Sequence, residues 1–217
     1  TSDVPGLYAA GSGCATMLSG ASYAGMGLGL CHAMTTGARA GIAAAQYASN
    51  TAKFKLDESE LKRIKEKAIA PVLRKGGFSP AWVTQSLQGL VIPYYVLQIK
   101  HGERMQAALT LVEFMNNHLV PKIMAKDPHE LRMAHETRNM VLNMEMILRA
   151  SLFRTESRGK HFREDYPRRN DPEWLAWIMI KNDEGRMSLT KEPVPEKWWP
   201  DLSVPYEQRY PGHLPLE

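Results

Sequence analysis

Apolar residues recur at helical spacing through the middle of the chain. Leu61, Ile64, Ala68 and Val72 mark one buried face of a helix that Asp57-Glu58-Ser59-Glu60 would cap. In such a box the Asp57 carboxylate takes the amide of position 60 and Glu60 reaches back. Gly76-Gly77 ends this helix, and Ser79-Pro80 starts a second one with Val83, Leu87, Leu90, Val91 and Tyr94 inward. Pro93 kinks or shortens it. Gly102-Glu103 opens a third helix, apolar at Met105, Leu109, Val112 and from Met115 to Leu119, until Pro121 breaks the pattern. Asp127-Pro128-His129-Glu130 caps the longest, about Glu130 to Phe153, with Met133, Met140, Val141, Met144, Ile147, Leu148 and Leu152 inward. Residues 57–155 therefore read as an antiparallel helical bundle.

After the bundle the period changes from helical to alternating. Trp174 to Lys181 alternates as a strand, Asn182-Asp183-Glu184-Gly185 turns, and Arg186 to Thr190 returns, the signature of a β-hairpin. The tail from Pro193 to Glu217 holds six prolines with Trp198, Trp199, Tyr206 and Tyr210. That composition predicts an extended arm whose aromatics lie on a surface of this chain or of a partner.

Residues 4–47 follow neither pattern. A short apolar run, Leu7-Tyr8-Ala9-Ala10, reads as a strand that stops at Gly11-Ser12-Gly13. A loop dense in Gly, Ser and Ala follows, and then an alanine-rich helix from about Leu30 to Ala48. Glycine lets a backbone come close to a ligand with no Cβ in the way. A helix starting after such a loop offers amide N–H groups and a positive dipole end. The two together suit an anionic or electron-rich group, such as a phosphate or the C2=O edge of a flavin. A tight turn followed by a closely packed helix is the alternative. The stretch is no dinucleotide fingerprint, because Thr16 stands where GxGxxG needs its third glycine.

A second group of polar residues, RTESRGKHFREDYP at 154–167, follows directly on the longest helix. Five of these fourteen residues are Arg, Lys or His, and Gly159 is expected to break the helix and leave Arg154, Arg158, His161 and Arg163 around one turn. Cations at a helix C-terminus are favoured by the dipole. The group could face an anionic ligand, or it could pair with Glu156, Glu164 and Asp165 as a junction holding the bundle to its neighbour.

Composition narrows the possibilities. The 217 residues are 44% hydrophobic and 23% charged, enough for a real core and unlike a disordered chain. A net charge of +4 with no basic tract interleaved with aromatics argues against nucleic acid. Cys14 and Cys31 match neither zinc spacing nor a disulfide framework, so no metal is expected and a reducing, cytoplasmic setting is. The histidines show no zinc-protease pairing, and the methionines at helical spacing read as packing. No run of 18 apolar residues or signal peptide is seen, so no direct membrane span is expected. A start at Thr1, three residues before the PGLY run that opens the strand, suggests a piece of a longer enzyme or a processed subunit.

The order PGLYAAG, Gly-rich loop, then GxxAG on a small-residue helix (Gly37, Ala40, Gly41) resembles the end of the FAD-binding domain in the fumarate reductase / succinate dehydrogenase flavoprotein family. That family also includes L-aspartate oxidase and adenylylsulfate reductase. Its ESRG(A)H-x-REDYP element is matched by Glu156-Ser157-Arg158-Gly159, His161 and Arg163 to Pro167, with Lys160 in place of Ala, and RRNDPEW continues it. The resemblance implies an α+β chain in three parts. Residues 1–52 would be the strand–loop–helix end of an FAD domain, 53–167 a helical bundle, and 168–217 the hairpin and arm.

The resemblance also implies FAD as cofactor and hydride exchange between flavin N5 and a small organic substrate. The cofactor-contact candidates are Gly11, Ser12, Gly13, Gly25, Gly29 and Leu30. Two departures stand out: Ser12 replaces the usual Glu, and Tyr23 occupies the place of the substrate-carboxylate Arg. A phenol cannot form the bidentate charged pair that guanidinium forms with a carboxylate, so plain fumarate or succinate is not the expected substrate. Candidate catalytic residues are Tyr23, Arg158, His161 and Arg163. Expected partners are an N-terminal FAD-binding portion and an iron–sulfur electron-transfer subunit. An adenylylsulfate-reductase-like subunit and a non-catalytic helical interaction module are the alternatives.

Overall fold

A computed structural model of the chain describes residues 4–14, 26–53 and 55–211. It divides into two compact units, Thr1–Arg63 and Ile64–Glu217. In the first, Leu7 to Ala10 form no strand. A strand is stabilised by the ladder it joins, and among the described residues of this unit there is no other strand to pair with. The run leads instead into a single 3₁₀ turn, Gly11–Cys14. Helix α1, Leu28–Asn50, starts two residues earlier than the pattern suggested, at Gly27 in the left-handed region (φ 83°). None of its residues is buried.

Helix α2, Glu58–Leu73, runs across the division between the units. Its N-terminus is capped as expected by Asp57, whose carboxylate accepts from the amides of Ser59 and Glu60. Glu60 does not reach back, because Arg63 one turn on takes both its oxygens. The expected buried face is not buried. Leu61, Ile64 and Val72 are exposed, and only Pro71 is covered.

The second unit holds the core. Helix α3, Pro80–Val91, contributes Val83, Leu87 and Val91, and α5, Gly102–Phe114, contributes Met105, Leu109 and Val112. These pack on Val141 and Leu148 of α6, Pro128–Phe153. A polar contact within this core is complete: the Thr84 and Thr137 hydroxyls lie 2.7 Å apart, and Thr137 also donates to the Pro80 carbonyl. Between α3 and α5, Pro93 ends one helix and restarts a short one, α4 (Tyr94–Leu97). The restart turns Tyr94 out to 65% exposure, against the inward position its spacing predicts. Ile147 on α6 is likewise exposed.

Helix α5 passes into a π turn, Met115–Leu119, and a 3₁₀ turn, Val120–Lys122, at Pro121. Asp127 caps α6 by accepting from Glu130 N–H at 2.8 Å, and the Glu130 carboxylate accepts in turn from the Lys126 amide. The helix ends at Phe153, well before Gly159, because Arg154 turns extended (ψ 109°). Strand β1 (Ile99–Lys100) pairs in parallel with β2 (Phe162–Arg163), placing Lys100 opposite Arg163. Strands β3 (Ala176–Asp183) and β4 (Arg186–Pro193) form the hairpin around Glu184-Gly185. Both turn residues have positive φ, 49° and 87°, which suits the right-handed strand twist. The arm is less extended than its composition suggests, with a 3₁₀ turn at Glu196–Trp198 and a short helix α7, Tyr206–Arg209.

Candidate functional site

The glycine-rich entry to α1 is built on backbone freedom. Gly11 is buried with φ +56°, and its amide donates to the Thr36 hydroxyl at 2.9 Å. A Cβ there would lie 3.2 Å from the Ala33 methyl, so both conformation and space select glycine. Ser12 and Gly13 are exposed on the same turn. At the helix end, Gly27 caps with no side chain, and the first intrahelical bond runs from Cys31 N–H to the Gly27 carbonyl. Gly29 and Leu30 therefore sit in the first turn, Leu30 with its side chain 73% exposed. Tyr23 and Gly25 lie outside the described residues.

One contact here was not foreseen. The Cys14 sulfur lies 3.3 Å from His32 Nε2 and 3.1 Å from the Gly11 carbonyl, tying the 3₁₀ turn to α1. The signal was a thiol and an imidazole on either side of the loop, but they stand 18 positions apart in sequence. Altogether, Gly11 and Gly27, both at positive φ, leave a slender backbone at the entry to α1, and Gly27 itself supplies no side-chain cap.

The 154–171 segment is a network of paired charges. Glu156 is fully buried and accepts from Arg154 Nη1 (2.5 Å), Arg158 Nε and Nη2 (2.7 and 2.9 Å) and the Asn170 amide (2.9 Å). Asp171, also with a buried carboxylate, accepts from Arg158 (2.5 Å), Arg209 (3.0 Å) and the Tyr210 hydroxyl. Burial alone would raise the Asp171 pKa, but Tyr210 and Arg158 outweigh it and hold it below the usual carboxylate range. For Arg158 burial works against the cation, and the Glu156 and Asp171 carboxylates more than offset it, so it stays charged.

Arg163 is 3% exposed and joins two helix ends. Its Nη1 donates to the Ser151, Leu152 and Arg154 carbonyls at the C-terminus of α6. Its other nitrogens hold Asp165, whose carboxylate in turn accepts from the Gly102 amide at the start of α5. The Arg163 hydrogen bonds keep the Asp165 pKa down, at about 2. His161 is largely buried, its Nε2 facing the Arg154 carbonyl, and burial followed by the Lys100 charge lowers its pKa to about 4. Arg163 and His161 thus meet carbonyls at the C-terminus of α6, whereas Arg158 pairs with Glu156 and Asp171 instead. The structure gives the two arginines carboxylate and carbonyl partners within the chain, the arrangement of a junction. Asp171, Asn170 and Tyr210 were missed because the arm's return onto Arg168–Asp171 is not visible in local spacing, and Lys100 because the β1–β2 pairing that brings it to Arg163 joins segments far apart in sequence.

The class defined by these elements is a helical domain closing on an ESRG…RED junction with Glu156, Ser157 and Arg163 buried, preceded by a glycine-rich entry to a helix. The model of the fumarate reductase flavoprotein C-terminal region matches residues 91–210, and the chain belongs to this fumarate reductase / succinate dehydrogenase flavoprotein family. It is 29% identical over 184 residues to a subunit of the fumarate reductase (CoM/CoB) of Methanothermobacter marburgensis, covering 80% of this chain and 31% of that protein. It is 28% identical over 196 residues to L-aspartate oxidase of a Nostoc species, covering 84% and 33%. Its fold matches a chain of E. coli quinol fumarate reductase with a TM-score of 0.70 at 20% identity, over 79% of this chain and 31% of that one. The chain thus spans about a third of the length of the relatives it matches. Among the described residues no helix is long and apolar enough to cross a membrane.

Proposed function

We propose that this chain supplies the C-terminal part of an FAD-dependent oxidoreductase that exchanges a hydride with a small organic substrate other than plain fumarate or succinate. When bound, FAD supplies the hydride chemistry. The observation that carries the reading is the slender entry to α1, with Gly11 at φ +56° and Gly27 at φ +83° and α1 beginning directly after Gly27. With FAD bound, the dipole of α1 would offer partial positive charge to the flavin's pyrimidine edge, a fixed electrostatic contribution that would need no reorganisation. Ser12, in place of the family's Glu, contributes a hydroxyl that can donate or accept toward the ribityl chain. Tyr23 in place of Arg removes the charged clamp for a substrate carboxylate.

The groups that would hold adenosine and pyrophosphate belong to an N-terminal portion, and an iron–sulfur subunit is the proposed electron partner. The test mixes the 217-residue chain with a separately made N-terminal portion and records the flavin absorbance spectrum. Flavin is expected to be retained in stoichiometric amount by the pair and only weakly by this chain alone. Tight stoichiometric FAD on this chain alone would refute a shared site. In the reconstituted protein, Tyr23→Arg is expected to raise fumarate reduction above the parent if the substrate class has changed at this position.

A further inference from the structure

In the second unit, α2 from Ile64 onward, the π turn and α6 border an open-mouthed cavity of about 350 Å³ lined by three cationic side chains, Lys67, Arg74 and Arg138, with His135 beside them. Among the described residues no carboxylate lines it. Among these residues, too, Lys67 and Arg138 have no ion-pair partner, whereas Arg132 on the same helix as Arg138 is paired with Glu136. Arg74 gives one N–H to the Ile123 carbonyl and keeps its remaining donors. His135 donates from Nε2 to the Ala68 carbonyl at 2.9 Å; in the neutral ring Nδ1 is then an acceptor, so the anion-binding donors are those of Lys67, Arg74 and Arg138.

Two breaks in helical backbone converge on the same place. Pro71 inside α2 has no N–H, so the Lys67 carbonyl lacks its i+4 donor. The π turn brings in Asn116, whose amide nitrogen is held by Glu145 at 2.9 Å. Wide π turns inside helices recur where a side chain must be presented to a ligand.

We propose that this cavity binds a small multivalent oxyanion, a phosphate-bearing or polycarboxylate metabolite. Like charges gathered without a counter-charge repel one another, and a ligand with two or more negative charges removes that repulsion. Guanidinium groups offer the planar paired donors that phosphate and carboxylate oxygens match. The volume suits a small ligand. The site lies in the second unit and its test is independent of flavin binding.

The experiment titrates the full chain with sodium pyrophosphate and, separately, with citrate, at constant ionic strength, by calorimetry and by the Asn116 side-chain amide signal in ¹⁵N NMR. At least one of the two is expected to saturate with a Kd below about 1 mM, and the one that does so separates the phosphate from the polycarboxylate source. Arg138→Ala and Lys67→Ala, both at exposed positions, are expected to weaken binding about tenfold each. Arg132→Ala is expected to leave it unchanged. Failure of both anions to saturate, or an equal loss in Arg132→Ala, overturns the proposal.

Discussion

Glu156 is the residue on which the second unit's junction depends. With its side chain wholly buried, it is the shared acceptor of two guanidinium groups and one backbone amide. Removing one partner of a buried ion pair leaves the others desolvated and uncompensated, at a cost of about 3–5 kcal/mol. Glu156→Ala is therefore expected to lower the denaturation midpoint sharply, and urea unfolding of the chain measures it. His161 contributes a pH response of its own. Its folded-state pKa of about 4 lies below the usual 6.5, so the unfolded state binds the extra proton between those values. The stability it contributes is complete above about pH 6.5 and is lost as pH falls toward 4. A second loss, from Asp165 with its pKa of about 2 against the usual 3.8, follows only below about pH 4. Urea midpoints should fall between about pH 7 and pH 5 in the parent and change little over that range in His161→Gln.

At the scale of elements, the sharpest demand falls on Gly77. It lies at φ +155°, and a Cβ there would come within 2.0 Å of the Lys122 carbonyl oxygen. That oxygen accepts from Phe78 N–H at 3.0 Å, and Met124 N–H returns a bond to the Phe78 carbonyl, so the backbone cannot withdraw without losing the bridge. Gly77→Ala is expected to destabilise the second unit by about 2–4 kcal/mol through overpacking and the lost bridge, measured by its thermal midpoint. Gly76, with nothing within 4 Å of the corresponding position, should accept alanine with a much smaller change. The two glycines are adjacent in sequence and look alike there as helix terminators. The difference between them arises from the segment around Lys122 that passes Gly77, at a separation no local rule sees.

For the molecule as a whole, the two units differ in what they bury. Helix α1 runs 23 residues without one buried side chain, while Val83, Met105, Val112, Val141 and Leu148 are fully covered in the second unit. Most helical stability comes from packing an apolar face, and a helix without it opens readily. Hydrogen exchange is expected to be fast along 28–50 and slow along 83–112 and 134–148 in the isolated chain. Adding the proposed N-terminal portion should slow exchange in 28–50 if that portion covers it. Unchanged exchange there, with flavin retained, would show that the missing cover comes from elsewhere.

Sequence by itself determined the elements whose cause is local. Pro80, Asp127 and the Glu184-Gly185 turn fix their helix starts and hairpin through backbone geometry and short hydrogen bonds, and the spacing of Val83, Leu87, Val141 and Leu148 fixes the core face. The glycine-rich entry and the ESRG element were legible too, because close backbone approach and charge density leave compositional traces. Tertiary structure alone decided what depends on neighbours. Among the described residues Leu7 to Ala10 meet no strand to join and the apolar stripe of α2 meets no cover, and α6 ended where Arg154 turned extended with Arg163 capping its carbonyls. Whether a charge is paired, or an apolar side chain buried, is settled by groups far away in sequence, since burial and ion pairing are properties of what folds against a residue.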